Sequence, residues 1–106
     1  MGDMENKLKE EIARLNKIGA EVMGDYIIRS FSPATDMNHF MMVINEMRKR
    51  GWKFIIFLYH PDKVMVDMWR TFTRTSVDAE APVDQPALAG MRCIAKAIRK
   101  KDDKEL

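Results

Sequence analysis

The sequence has one cysteine, Cys93, among its 106 residues, which excludes an internal disulfide and a cysteine-rich zinc site. Histidine is almost as scarce. His39 and His60 stand apart with no HxH or HxxxH pairing, so no imidazole-based metal centre is expected, and no cofactor either. None of the five glycines belongs to a phosphate-cradling loop or a GxSxG elbow. Charge of one sign is also lacking. Eighteen Lys and Arg against 16 Asp and Glu leave a net +2, far less than a dedicated duplex-DNA binder needs to neutralise phosphates. The longest apolar run, Phe54 to Tyr59, is strand-sized and well short of the ~20 residues of a membrane span. The opening MGDMENKLKEE is charged at once, so no secretory signal is expected and the chain reads as cytoplasmic. Asn6 stands where a myristoylation signal needs Ser or Thr, and Asp103-Lys104-Glu105-Leu106 only scrambles the retention tetrapeptide.

What is present is 46% hydrophobic and 32% charged, the balance of one folded domain over residues 1–106. Its core is expected over about 5–100, followed by a solvated tail at 101–106. The basic excess falls in residues 26–74 and 91–106. Ten methionines are the most unusual count.

Periodicity divides the chain. Leu8, Ile12, Leu15, Ile18 and Val22 share one face of a helix over about Glu5–Met23, which Gly24 ends. Tyr26–Phe31 is β-prone, either a short strand or a connector. A second helix is expected over about Asp36–Arg50. Thr35 would be its N-cap, and Met37, Phe40, Met41, Ile44 and Met47 its buried stripe, widened by Met42 and Val43. Gly51 ends it. Trp52–Tyr59 and Val64–Phe72 then form a hairpin joined by a type I turn at His60-Pro61-Asp62-Lys63. The first strand is apolar on both faces, which asks for cover on both. Residues 73–83, TRTSVDAEAPV, read as a polar loop. The last helix spans about Gln85–Lys100, with Asp84 capping, Pro86 in the first turn and Leu88, Met91, Ala95 and Ile98 facing inward. The fold class is therefore α+β: a three-layer α/β/α sandwich of three helices and a small antiparallel sheet built on the central hairpin.

Few residues invite chemistry. Tyr59-His60-Pro61-Asp62-Lys63 is similar to the tripeptide of J-domain co-chaperones, but there it joins two helices, whereas WKFIIFLY before it is a strand. Pro-Asp is also what a type I turn prefers. Cys93 lies mid-helix, where a cysteine is a small core residue, and Asp78 and Glu80 lie in a polar stretch, so no catalytic residues are assigned. Trp52, Lys53, Trp69, Arg70 and Arg74 are candidate binding residues, since aromatic faces beside cations can stack a base and hold a phosphate. Met42, Met65 and Met68 do not all fit one core and are candidates for self-association, because methionine suits adaptable surfaces.

The order of segments resembles the phage ABA sandwich domain family. Val22-Met23-Gly24 matches the family's first helix end. Phe31-Ser32-Pro33-Ala34-Thr35-Asp36 matches the stretch before its second helix. Leu88-Ala89-Gly90-Met91-Arg92 through Lys96-Ala97 match its last helix. The likeness covers about residues 10–100, departing at Asp25-Tyr26 and by one extra residue between Pro86 and Leu88. It implies an α/β/α sandwich of phage origin and no established activity. The expectation is a non-catalytic phage or prophage accessory protein in the host cytoplasm. It would bind a host or phage protein, as a host-directed inhibitor does, and pair with itself as a homodimer. The alternative is a module that sequesters a small ligand or nucleotide, or binds nucleic acid weakly, through the hairpin Trp and Arg residues.

Overall fold

The computed structural model describes residues 2–24 and 30–105. The elements are α1 (Gly2–Met23), α2 (Met37–Lys49), β1 (Trp52–His60), β2 (Lys63–Arg70), β3 (Thr75–Pro82) and α3 (Pro86–Glu105). The strands form one antiparallel sheet in the order β1-β2-β3. The α+β class read from the sequence is the one found, with three helices and a small antiparallel sheet built on the hairpin.

The third strand is a correction, because residues 75–82 are β3 and not loop. Its burial alternates strictly: Thr75, Val77, Ala79 and Ala81 point inward while Ser76 and Asp78 point out. Three other boundaries also move. β2 ends at Arg70, and Phe72 sits 98% exposed in the turn that follows. Ala89 N–H bonds the carbonyl of Gln85, so Gln85 and not Asp84 stands at the cap position of α3. That helix continues through residues expected to be a tail, as far as Glu105. Of the stretch Tyr26–Phe31, residues 26–29 lie outside the described residues, and Ser30 and Phe31 are not in a strand.

Local chemistry sets the helix ends. The N-cap of α2 is Asp36 and not Thr35: its Oδ1 accepts from the N–H groups of Asn38 and His39 at 2.9 and 3.2 Å. Gly24 and Gly51 follow α1 and α2 with φ of 70° and 95°, a region only glycine enters without strain. Two arginines tie these ends together. Arg50 donates to the Val22 carbonyl at 2.9 Å, and Arg70 donates to the Arg50 carbonyl at 2.6 and 3.1 Å.

The inner face of the sheet carries Trp52, Phe54, Ile56 and Leu58 on β1, Val64, Val66 and Met68 on β2, and the inward residues of β3. α3 lies against β2 and β3, and α2 and α1 pack beyond it. With neighbours on both sides, α3 is buried almost all round from Ala87 to Ile94. The buried stripe of α2 is Phe40, Val43, Ile44 and Met47. It is rotated from the expected one: Phe40 lies against Gly90 of α3 and Val43 is buried, while Met37 and Met41 are left exposed. Helical cover, expected on both faces of β1, is found on the inner face. Gly19, mid-helix in α1, also has a packing reason: a side chain there would press into Pro33 and Met91.

Candidate interaction surface on the sheet

The outer face of the sheet alternates with the inner one. It carries Lys53, Ile55 and Phe57 on β1, opposite Trp69, Asp67 and Met65 on β2. Among the described residues no helix packs on it. Ile55 is 49% exposed and Trp69 37%, while Phe57 and Met65 are half-buried. The result is an apolar patch with Lys53 beside the Trp69 ring and Asp67 beside Ile55, bordered on the β3 side by Asp78 opposite Asp67 and by Glu80 opposite Met65, the latter paired with Lys63 at 3.4 Å. Alternation of a two-sided apolar strand builds this patch, because every residue that cannot enter the core must face the other way.

The structure divides the candidate binding residues. Lys53 and Trp69 are cross-strand partners on the open face. Trp52 is buried on the opposite face, where the Arg70 guanidinium lies 5.6 Å from its ring centroid. Trp52 and Arg70 therefore serve the helix–sheet junction and are not part of one stacking surface with Trp69. Arg74 stands apart in the β2–β3 turn, exposed, with φ of 52°. The methionines divide too. Met65 is on the outer face and Met42 is half-buried on α2. Met68 is 0% exposed in the core, a correction, since it faces α3 and offers nothing to a second subunit.

Cys93 and His39 are both held by neighbouring groups. Cys93 is buried and its Sγ lies 3.5 Å from the Val77 carbonyl. Burial, reinforced by Asp67 and Asp78, pushes its thiol up to about 12, so the nucleophilic thiolate is suppressed. His39 accepts the Ser32 N–H at Nδ1, 3.0 Å away, and stacks at a tilt on Phe31. Among the described residues no group of three or more His, Cys, Asp or Glu could hold a metal ion.

One arrangement was not legible in the sequence. Arg92 on α3 makes a two-pronged ion pair with Glu11 on α1, at 2.7 and 3.0 Å, and donates to the Glu80 carbonyl on β3 at 2.9 Å. Lys96, one turn on, donates to the Asp78 carbonyl at 2.8 Å. This pair floors a cleft of about 280 Å³ edged by Arg14 and Arg99. Glu11 and Arg92 are 81 residues apart, so no local spacing could announce them.

The Arg92 hydrogen bonds hold the Glu11 carboxyl below the ordinary glutamate range. A depressed carboxylate stabilises the fold above its unfolded pKa, and that stability is lost as pH falls through the folded one. Glu11→Gln is therefore expected to cost about 1 kcal/mol at neutral pH, a value discounted for partial exposure, and to flatten the acid limb of the stability profile. Urea melts at a series of pH values check this; equal acid slopes for the two proteins would refute it.

No family model, no curated protein and no solved structure matches the chain. No helix among the described residues is long and apolar enough to cross a membrane.

Proposed function

We propose that this chain is a non-catalytic phage or prophage accessory protein of the host cytoplasm, a homodimer that acts by binding a partner protein. The open outer face of the sheet carries the reading. Ile55, Phe57, Met65 and Trp69 form an apolar surface rimmed by Lys53 and, towards β3, by Asp67, Asp78 and Glu80, the composition of a protein-docking patch with an aromatic anchor. The partner it suits is a protein surface with a pocket for the Trp69 ring and an acidic group within reach of Lys53. Phage origin and a host-directed inhibitory role rest on the resemblance in the order of segments.

Trp69→Ala decides the matter, because Trp69 is partly exposed and its loss leaves the core intact. In a capture experiment from host extract, the wild-type chain is expected to retain a stoichiometric partner that Trp69→Ala loses and Phe72→Ala keeps. Equal capture by all three chains would sink the docking assignment. Titration with single-stranded DNA and nucleotides tests the other class: a saturable quench of Trp69 fluorescence, with no protein captured, would replace this reading with ligand sequestration.

A further inference from the structure

The sheet has two edges, and the chain treats them differently. β3 forms one edge, and its Asp78 and Glu80 carbonyls are occupied by Lys96 and Arg92 of α3. The strand also carries Asp78, Glu80 and the terminal Pro82. These are the devices that stop an edge strand from recruiting another. β1 forms the other edge, and within its straight portion the one such device among the described residues is Lys53. Among the described residues no side chain bonds the backbone of residues 52–58, and this stretch, WKFIIFL, contains no proline, no acidic residue and one cation, Lys53. Among the described residues no strand pairs with this edge, and a long apolar edge presents a row of backbone groups to a second strand.

We infer that β1 pairs antiparallel with β1 of a second copy about a two-fold axis at Ile55, joining the two sheets into one of six strands. The inference rests on the homodimer part of the proposed function and supplies its geometry. The ladder between β1 and β2 is regular from Trp52 to Leu58 and shifts register between Leu58 and His60, so the straight segment is centred on Ile55. In that register Ile55 faces Ile55 of the second copy, Phe54 faces Ile56, Lys53 faces Phe57 and Trp52 faces Leu58. The two most exposed apolar side chains of the strand, Leu58 at 72% and Ile55 at 49%, both gain cross-strand neighbours. Charge selects the direction. A parallel in-register pair sets Lys53 beside Lys53, whereas the antiparallel pair sets each opposite an aromatic ring. The joined sheet also doubles the outer patch that carries Trp69.

Single-cysteine variants test the register, since Cys93 is buried and unreactive. Opposed residues in an antiparallel pair have Cα atoms about 4.5–5.5 Å apart, within disulfide reach. Ile55→Cys is expected to form a disulfide-linked dimer under mild oxidation. Lys53→Cys is expected to stay unlinked, because the two copies of residue 53 lie four residues, about 13 Å, apart along the strands. Ile55→Lys, at an exposed position, is expected to weaken dimerisation at least about tenfold in sedimentation equilibrium while circular dichroism shows an unchanged fold. A wild-type chain that is monomeric at high micromolar concentration overturns both the pairing and the homodimer. A wild-type dimer that persists in Ile55→Lys, or an Ile55→Cys dimer that does not cross-link, overturns the β1 pairing and leaves dimerisation through another surface. Loss of partner capture in Trp69→Ala with the cross-link intact separates the docking patch from the dimer.

Discussion

Phe40→Ala is expected to bring the protein to the brink of unfolding. Phe40 is wholly buried at the junction of α2 and α3, and truncating such a ring costs about 3–5 kcal/mol. A domain of this size has a total stability of about 5–15 kcal/mol. The cost belongs at the upper end for a local reason. The ring lies over Gly90, which has no side chain to fall into the space, so the cavity stays open. Chemical denaturation followed by circular dichroism checks this. The midpoint should fall steeply for Phe40→Ala and stay within about 0.5 kcal/mol of wild type for the exposed Phe72→Ala. A Phe40→Ala midpoint near wild type would show that the junction is not close-packed.

The same junction makes an alanine at position 90 harmful in a helix where alanine is otherwise favoured. Replacing a mid-helix glycine by alanine ordinarily gains about 1 kcal/mol. At Gly90 the new Cβ would collide with the edge of the Phe40 ring, and overpacking of a filled core costs about 1–3 kcal/mol, occasionally more. Because the ring is fully buried and has nowhere to turn, the clash should outweigh the gain, and Gly90→Ala is expected to destabilise by about 2 kcal/mol. The double variant Phe40→Ala/Gly90→Ala is the sharper measurement. With the ring gone the Cβ occupies vacated space, so the two costs should be less than additive by about 0.5–3 kcal/mol. Strict additivity would mean that the two positions do not press on one another.

Particular residues show how far the sequence carries. Ile12, Leu15, Ile18 and Val22 of the α1 stripe and the alternation of β1 were legible because each depends on a period of the chain itself, and so were the terminators Gly24 and Gly51, whereas Leu8, expected on the same stripe, is 38% exposed. β3 was not. Its inward residues are Thr75, Val77, Ala79 and Ala81, small side chains that bring little apolar surface each, separated by Ser76, Asp78 and Glu80. Composition there reads as loop, and the signal of a strand is the strict two-residue alternation. Tertiary packing is what makes small residues suitable, because α3 packs directly against β3 over these positions. Met37 and Met41 failed for the same kind of reason. A helix with apolar residues around much of its surface has several possible buried stripes, and the neighbour decides which is chosen.

The candidate surface was legible only in part. Lys53 and Trp69 were picked out, and β pairing sets them side by side. Trp52 and Arg70 were picked out on the same compositional grounds, yet register sends them to the opposite face, where they close the core.

By itself, then, the sequence determined the α+β class, the hairpin, the glycine ends of α1 and α2 and the scarcity of cysteine and histidine, because those follow from residue types and local periods. The tertiary structure decided which stripe of α2 is buried, which tryptophan is offered outward, that Arg92 reaches Glu11 across 81 residues, and that the carbonyls of β3 are held by α3. These depend on contacts between segments far apart in the chain, and no local pattern encodes the position of a distant neighbour.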